Sequence, residues 1–82
     1  MSRTDAEKAQ DYTAMGHSVG LITDVIAGNE MAESHYTAAD RQSAVDRNVA
    51  HLEHMKAMTD WGSEDMTATT NAITAGKGYT AS

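Results

Sequence analysis

The sequence contains no cysteine, no proline and no phenylalanine, and it holds a single tryptophan. Without cysteine there is no disulfide framework, no thiolate nucleophile and no cysteine-ligated zinc site. No long apolar run occurs either. Leucine, isoleucine and valine are never more than two in succession, as at Leu21-Ile22, so no segment can span a bilayer. The N-terminal residues Met1-Ser2-Arg3-Thr4-Asp5 run directly into charged sequence, so no signal peptide is expected. Positive charge is scarce. Six bases stand against twelve acids, for a formal charge of −6. The bases Arg3, Lys8, Arg41, Arg47, Lys56 and Lys77 are dispersed, whereas phosphate neutralisation needs clustered cations. Nucleic acid and anionic membrane surfaces are therefore not expected partners.

The scarcest material is core. Two leucines, three isoleucines and four valines make nine residues, about 11% of the 82. That is below the roughly 20% that, with high net charge, marks chains unable to fold by themselves. Six methionines, three tyrosines, one tryptophan and fourteen alanines supplement it. A chain of this length draws only a few kcal/mol from its core at best. A partner surface is expected to complete the fold.

What is present favours helix. Alanine is abundant, residues with strand preference are sparse, and no Asn-Gly or Asp-Gly hairpin signal occurs. The architecture expected is all-α: an antiparallel helical hairpin with a short third C-terminal helix, in one domain spanning 1–82. Thr4-Asp5-Ala6-Glu7 reads as a capping box opening a helix over about 5–27. Tyr12, Met15, Val19, Ile22 and Ile26 recur at 3-4-3-4 spacing and share one face. Gly28-Asn29 supplies a C-cap. Residues 28–37 are polar and read as a connection, with Met31 and Tyr36 folding back onto the core. Thr37 then caps a second helix over about 38–59, with core positions Val45, Val49, Leu52 and Met55 and with Ala38, Ala44 and Met58 at its margins. Trp61-Gly62 breaks that pattern. Ser63 is expected to cap a third helix over about 64–75, whose core face carries Met66 and Ile73 with Ala68, Ala72 and Ala75 close by. Gly76-Lys77-Gly78 is expected to end it.

A second stripe lies beside the apolar face of the first helix: Thr13, Gly16, Gly20, Thr23 and Ala27. Two mid-helix glycines cost about 2 kcal/mol in propensity. Close approach of another backbone would compensate, so Gly16 and Gly20 are candidate partner contacts.

Catalytic chemistry has little support. Asp46 and Glu53 share a face, but it is the expected wet face. There is no Gly-x-Ser-x-Gly elbow and no Gly-Lys-Ser/Thr phosphate loop. Two helical layers also leave little room for a ligand pocket. His51 and His54 sit three apart on one helical face, yet zinc prefers at least three protein ligands, and nothing in the sequence fixes the third, for which His35 or an acid of the first helix is the nearest candidate; His17 is the fourth histidine. No catalytic residue, metal ligand or cofactor is assigned, and the chain is not expected to be an enzyme.

The segment Asp46-Arg47-Asn48-Val49-Ala50-His51-Leu52-Glu53, followed by Ala72-Ile73-Thr74-Ala75-Gly76-Lys77, resembles a pattern in short helical accessory proteins of tailed bacteriophages. The resemblance covers about the last 40 residues and carries no functional residue with it. It implies a virion component, either a capsid decoration (cement) protein or a part of the connector or tail, present in many copies and bound to major capsid or tail subunits. Tyr12, Met31, Tyr36, Met58, Trp61, Met66 and Tyr79, at the margins of the expected core, are then the anchors toward neighbouring subunits, together with Gly16 and Gly20. The alternative is a small acidic cytoplasmic regulator that covers a basic protein partner.

Overall fold

A computed structural model describes residues 2–29 and 37–82 as three α-helices, with no strand among the described residues. Helix α1 spans Asp5–Ala27, α2 spans Ala38–Lys56 and α3 spans Thr67–Lys77. The two long helices start as the sequence leads one to expect. The Thr4 hydroxyl accepts the Glu7 N–H while the Glu7 carboxylate accepts the Thr4 N–H, and Thr37 and Asp40 repeat the arrangement on α2. Each capping box satisfies two backbone donors that a helix leaves orphaned at its start. Helix α1 ends on Gly28 in the left-handed conformation (φ 71°), where its N–H reaches the last carbonyls.

Helices α1 and α2 lie antiparallel, with Arg3 beside Asp60 and Ser18 beside His51. Helix α3 runs back along both, pairing Tyr12 with Asp65 at its start and bringing Gly76 near Ile22 and Val45 at its end. Met15, Ile22, Val25, Val45, Val49, Leu52, Met55 and Ala72 form the core between them. Among the described residues, no buried side-chain nitrogen or oxygen lacks a hydrogen-bond partner.

Four expectations are corrected. The first concerns α1. Its buried face is Met15, Ser18, Ile22 and Val25, with Tyr12 and Val19 half-buried against the core as expected, while Ile26 is 39% exposed. The end of α3 sits against Ile22, so Ile26 lies beyond the helix that would cover it. The second concerns the end of α2, at Lys56 and not near residue 59. Past Ala57 the Met55 carbonyl accepts both the Met58 N–H and the Trp61 indole N–H, which turns the chain away.

The third correction is the start of α3. It begins at Thr67, behind Met66 and without a side-chain cap, and Ser63 does not cap it. The two acids expected in its first turn shape the preceding link instead. Glu64 accepts the Gly62 N–H at 2.8 Å, and Asp65 accepts the Thr67 N–H at 2.9 Å. The fourth is its buried face, which is Thr69, Ala72 and Gly76, with Met66 and Ile73 half-buried and Ala68 and Ala75 exposed. Helix α3 continues through Gly76 to Lys77. A Cβ on Gly76 would overlap the Val49 Cγ2 methyl and come within 3.4 Å of Val45 and 3.6 Å of Ile22. The glycine at a close helix–helix approach inside this fold is therefore Gly76.

Candidate functional site

A dense polar constellation sits where the N-terminal strap, α1 and the 57–66 link meet. Thr4 is the cap of α1, so the strap leaves the helix in an extended conformation and carries Arg3 across to the link. The Arg3 backbone N–H and Nε–H both donate to Asp60 Oδ2, at 2.9 and 3.0 Å, and Nη2 donates to Oδ1. Nη1 donates to Asp11 Oδ2 at 2.8 Å. The guanidinium carbon lies 4.2 Å from the centre of the Trp61 ring, a cation–π distance. Tyr12 meets Trp61 edge to face at 6.1 Å and donates its hydroxyl to the Asp65 carbonyl at 2.6 Å. Lys8 Nζ donates to the Asp60 carbonyl at 3.2 Å. The Arg3 and Asp60 side chains are only 15% and 16% exposed, so this fork is shielded more than an ordinary surface pair.

The Arg3 guanidinium, donating to both Asp60 oxygens, holds the Asp60 carboxyl well below the usual carboxylate range, with the Arg3 backbone N–H adding to the effect. The Thr67 hydroxyl and then its N–H lower Asp65 in the same direction. A depressed folded-state value stabilises the fold fully above the ordinary value of 3.8, and that contribution is lost as pH falls toward the folded value. Wild-type stability is therefore expected to drop on acidification between about pH 4 and pH 2. Asp60→Asn should flatten part of that slope. Urea midpoints of both proteins across this window are the check, and parallel slopes would contradict it.

An open depression of about 470 Å³ adjoins the clasp, lined by Ser2, Arg3, Ala57, Met58, Thr59 and Asp60. A smaller cleft of about 120 Å³ lies between α1 and α3, lined by Tyr12, Met15, Gly16, Val19, Asp65, Ala68 and Thr69.

The expected partner residues divide into three groups. Tyr12, Met58, Trp61, Met66 and Tyr79 are half-buried and pack against the chain's own core. Gly16 and Gly20 are exposed, and a Cβ on either would meet nothing within 4 Å. Met31 and Tyr36 lie outside the described residues, as does His35. Arg3, Asp11 and Asp60 were not singled out from the sequence. The signal available there was slight: a lone arginine just ahead of a capping box, with its acids 8 and 57 residues away.

Several of the other polar groups among the described residues make contacts within the fold. Buried Ser18 shares a 2.9 Å hydrogen bond with His51 Nδ1, which turns that imidazole into the α1–α2 contact. His54 and His17 are exposed, and among the described residues no three histidine, aspartate or glutamate side chains converge on a metal position. Glu53 pairs with Lys77 at 2.7 Å, and Asp46 accepts from Gln42 at 3.0 Å. Gln42 also donates to the Tyr79 carbonyl at 3.2 Å and accepts the Ala81 N–H at 2.8 Å, which ties the C-terminal segment to α2. Among the described residues, no helix is long and apolar enough to cross a membrane.

Comparison with family models, with characterised proteins and with solved structures finds no match.

Proposed function

We propose that this chain is a structural accessory protein of a multi-copy assembly, most specifically a decoration, connector or tail component of a phage particle, with a passive, non-catalytic role. The observation that carries this is the outer face of α1. Gly16 and Gly20 stand in mid-helix, exposed, with open space where a Cβ would be. Each lowers helix propensity by about 1 kcal/mol relative to alanine. Neither the core, nor a turn, nor a positive φ in this chain accounts for them, since Gly28 alone among the described residues has φ above zero. Thr13, Thr23 and Ala27 are exposed on the same face, so the surface is shallow enough for a neighbouring backbone to approach closely. Exposed Ile26 and the uncovered parts of Tyr12 and Val19 are the apolar material that α1 itself offers beside it.

Two measurements test this. In particles purified from lysates of the host that carries the gene, the chain should cosediment with intact virions in a fixed stoichiometry. Recovery only from the soluble fraction would overturn the proposal. In the isolated chain, Gly16→Ala and Gly20→Ala should each raise stability by about 0.5–1 kcal/mol, because nothing obstructs the added methyl. Gly16→Leu and Gly20→Leu should leave the isolated fold intact and abolish incorporation into particles. Normal incorporation of both leucine variants would remove the α1 face from the interface.

A further inference from the structure

The clasp around Arg3 can be separated into an occupant and a receptor. The occupant is one side chain on a strap whose neighbours, Ser2 and Thr4, are exposed. The receptor is Asp60 with Trp61 on the link, and Asp11 with Tyr12 on α1. Most of its scaffold is held in place without Arg3. Trp61 Nε1–H donates to the Met55 carbonyl at 2.8 Å, Tyr12 donates to the Asp65 carbonyl at 2.6 Å, and Lys8 holds the Asp60 carbonyl at 3.2 Å. Lifting the strap would leave two carboxylates and an aromatic face aimed at one point. That combination meets each requirement of a guanidinium: a bidentate acceptor, a second acceptor and a π surface. An ammonium could use only one point charge of it. The depression along Ala57, Met58 and Thr59 adjoins this point, so residues flanking an incoming arginine have room to lie there.

We propose that Asp11, Asp60 and Trp61 form a guanidinium-binding site for an arginine in an extended segment of a protein partner, closed in the free chain by the chain's own Arg3. The excess of acids over bases in the sequence favours a basic segment as the arriving group. Arg3 is a tethered competitor whose effective concentration is in the millimolar range for so short a connection, so the site opens only to a partner that anchors elsewhere as well. The site does not depend on the assembly proposed above, and the test uses the isolated chain.

The test titrates N-ethylguanidinium and the peptide acetyl-Ser-Arg-Thr-amide into wild type and Arg3→Ala, at constant ionic strength, with ethylammonium as the control. Trp61 fluorescence and the melting temperature are the readouts. Arg3→Ala should bind both guanidinium probes saturably, at concentrations at least about tenfold below those that affect wild type. Ethylammonium should fail to match them, and Arg3→Ala/Asp60→Asn should lose the response. If Arg3→Ala does not fold, recovery of its helical circular dichroism by N-ethylguanidinium, and not by ethylammonium, supports the site. Equal responses of Arg3→Ala and wild type, equal effects of the two cations, or no recovery of an unfolded variant would each overturn it.

Discussion

Gly76→Leu is expected to lower the unfolding free energy by about 3 kcal/mol, the upper end of the usual range for overpacking a close-packed site. The cause is local. A Cβ at position 76 would already overlap the Val49 Cγ2 methyl, and Val45 and Ile22 wall the site at 3.4 and 3.6 Å. Val49 cannot swing aside cheaply, because it is buried and a helical valine strongly prefers one χ1 rotamer. Alanine at position 76 is the milder case. It would gain about 1 kcal/mol of helix propensity but still has to displace the valine, and the net expectation is a loss of about 1 kcal/mol. Gly76→Ala and Gly16→Ala should therefore shift the melting temperature in opposite directions, though both replace a helical glycine. A double-mutant cycle isolates the reason. Val49→Ala makes room for the new methyl, so Gly76→Ala should cost less in that background, with a coupling of about 1 kcal/mol. Additive effects of the two substitutions would mean that α3 does not approach α2 closely at Gly76.

The same glycine marks how far the sequence could be read. Caps written in local sequence were legible, because Thr4 with Glu7 and Thr37 with Asp40 act over three residues and need no tertiary partner. The core face of α2 was legible for a similar reason. Val45, Val49, Leu52 and Met55 repeat at helical spacing, and all four are buried. Helix α3 was read less well. Its contact face is made of Thr69, Ala72 and Gly76, whose smallness carries no hydrophobic signal. Gly76 resembled a terminator because glycines commonly end helices, and only the position of Val49 shows that it is a spacer. Glu64 and Asp65 resembled a first turn because acids favour helix N-termini. In the fold they accept N–H groups of the link, a competing use of the same side chains.

The clasp was not legible at all. Arg3 and Asp60 are 57 residues apart, and neither belongs to a periodic pattern. The sequence places Trp61 at a break in the helical pattern and among the anchors toward a partner. Its observed contacts add two features that spacing could not supply: the indole N–H donates to the Met55 carbonyl in the last turn of α2, and the ring face receives Arg3. The thin core read from composition remains, but its margins are used. Half-buried Met58, Trp61, Met66, Ile73 and Tyr79 pack on the eight buried core residues from within the same chain. Among the described residues, Thr13, Gly16, Gly20, Thr23 and Ala27 of α1 are exposed, a face of small and hydroxyl side chains and not of large apolar groups.

Leu52→Ala tests how thin that core is. Leu52 is 0% exposed and is one of only two leucines in the chain. Truncating a fully buried leucine costs about 2–5 kcal/mol, from lost transfer energy and from the cavity left behind. A core of this size seldom supplies more than about 3–5 kcal/mol in total. The two ranges overlap, so the isolated variant should show no cooperative thermal transition at 25 °C and above, in either helical circular dichroism or Trp61 fluorescence. Ile26→Ala removes a similar volume from an exposed position and should cost less than about 1 kcal/mol. Partner binding adds a further distinction. A surface that binds only the folded chain stabilises it by mass action, by about 2.7 kcal/mol at one hundred times the dissociation constant. Leu52→Ala should therefore be unfolded alone yet incorporated into the assembly at reduced yield, whereas Gly16→Leu should be folded alone and excluded. A Leu52→Ala variant that melts cooperatively within about 1 kcal/mol of wild type would show that the core carries more than its composition implies. It would also remove the energetic reason for expecting a partner.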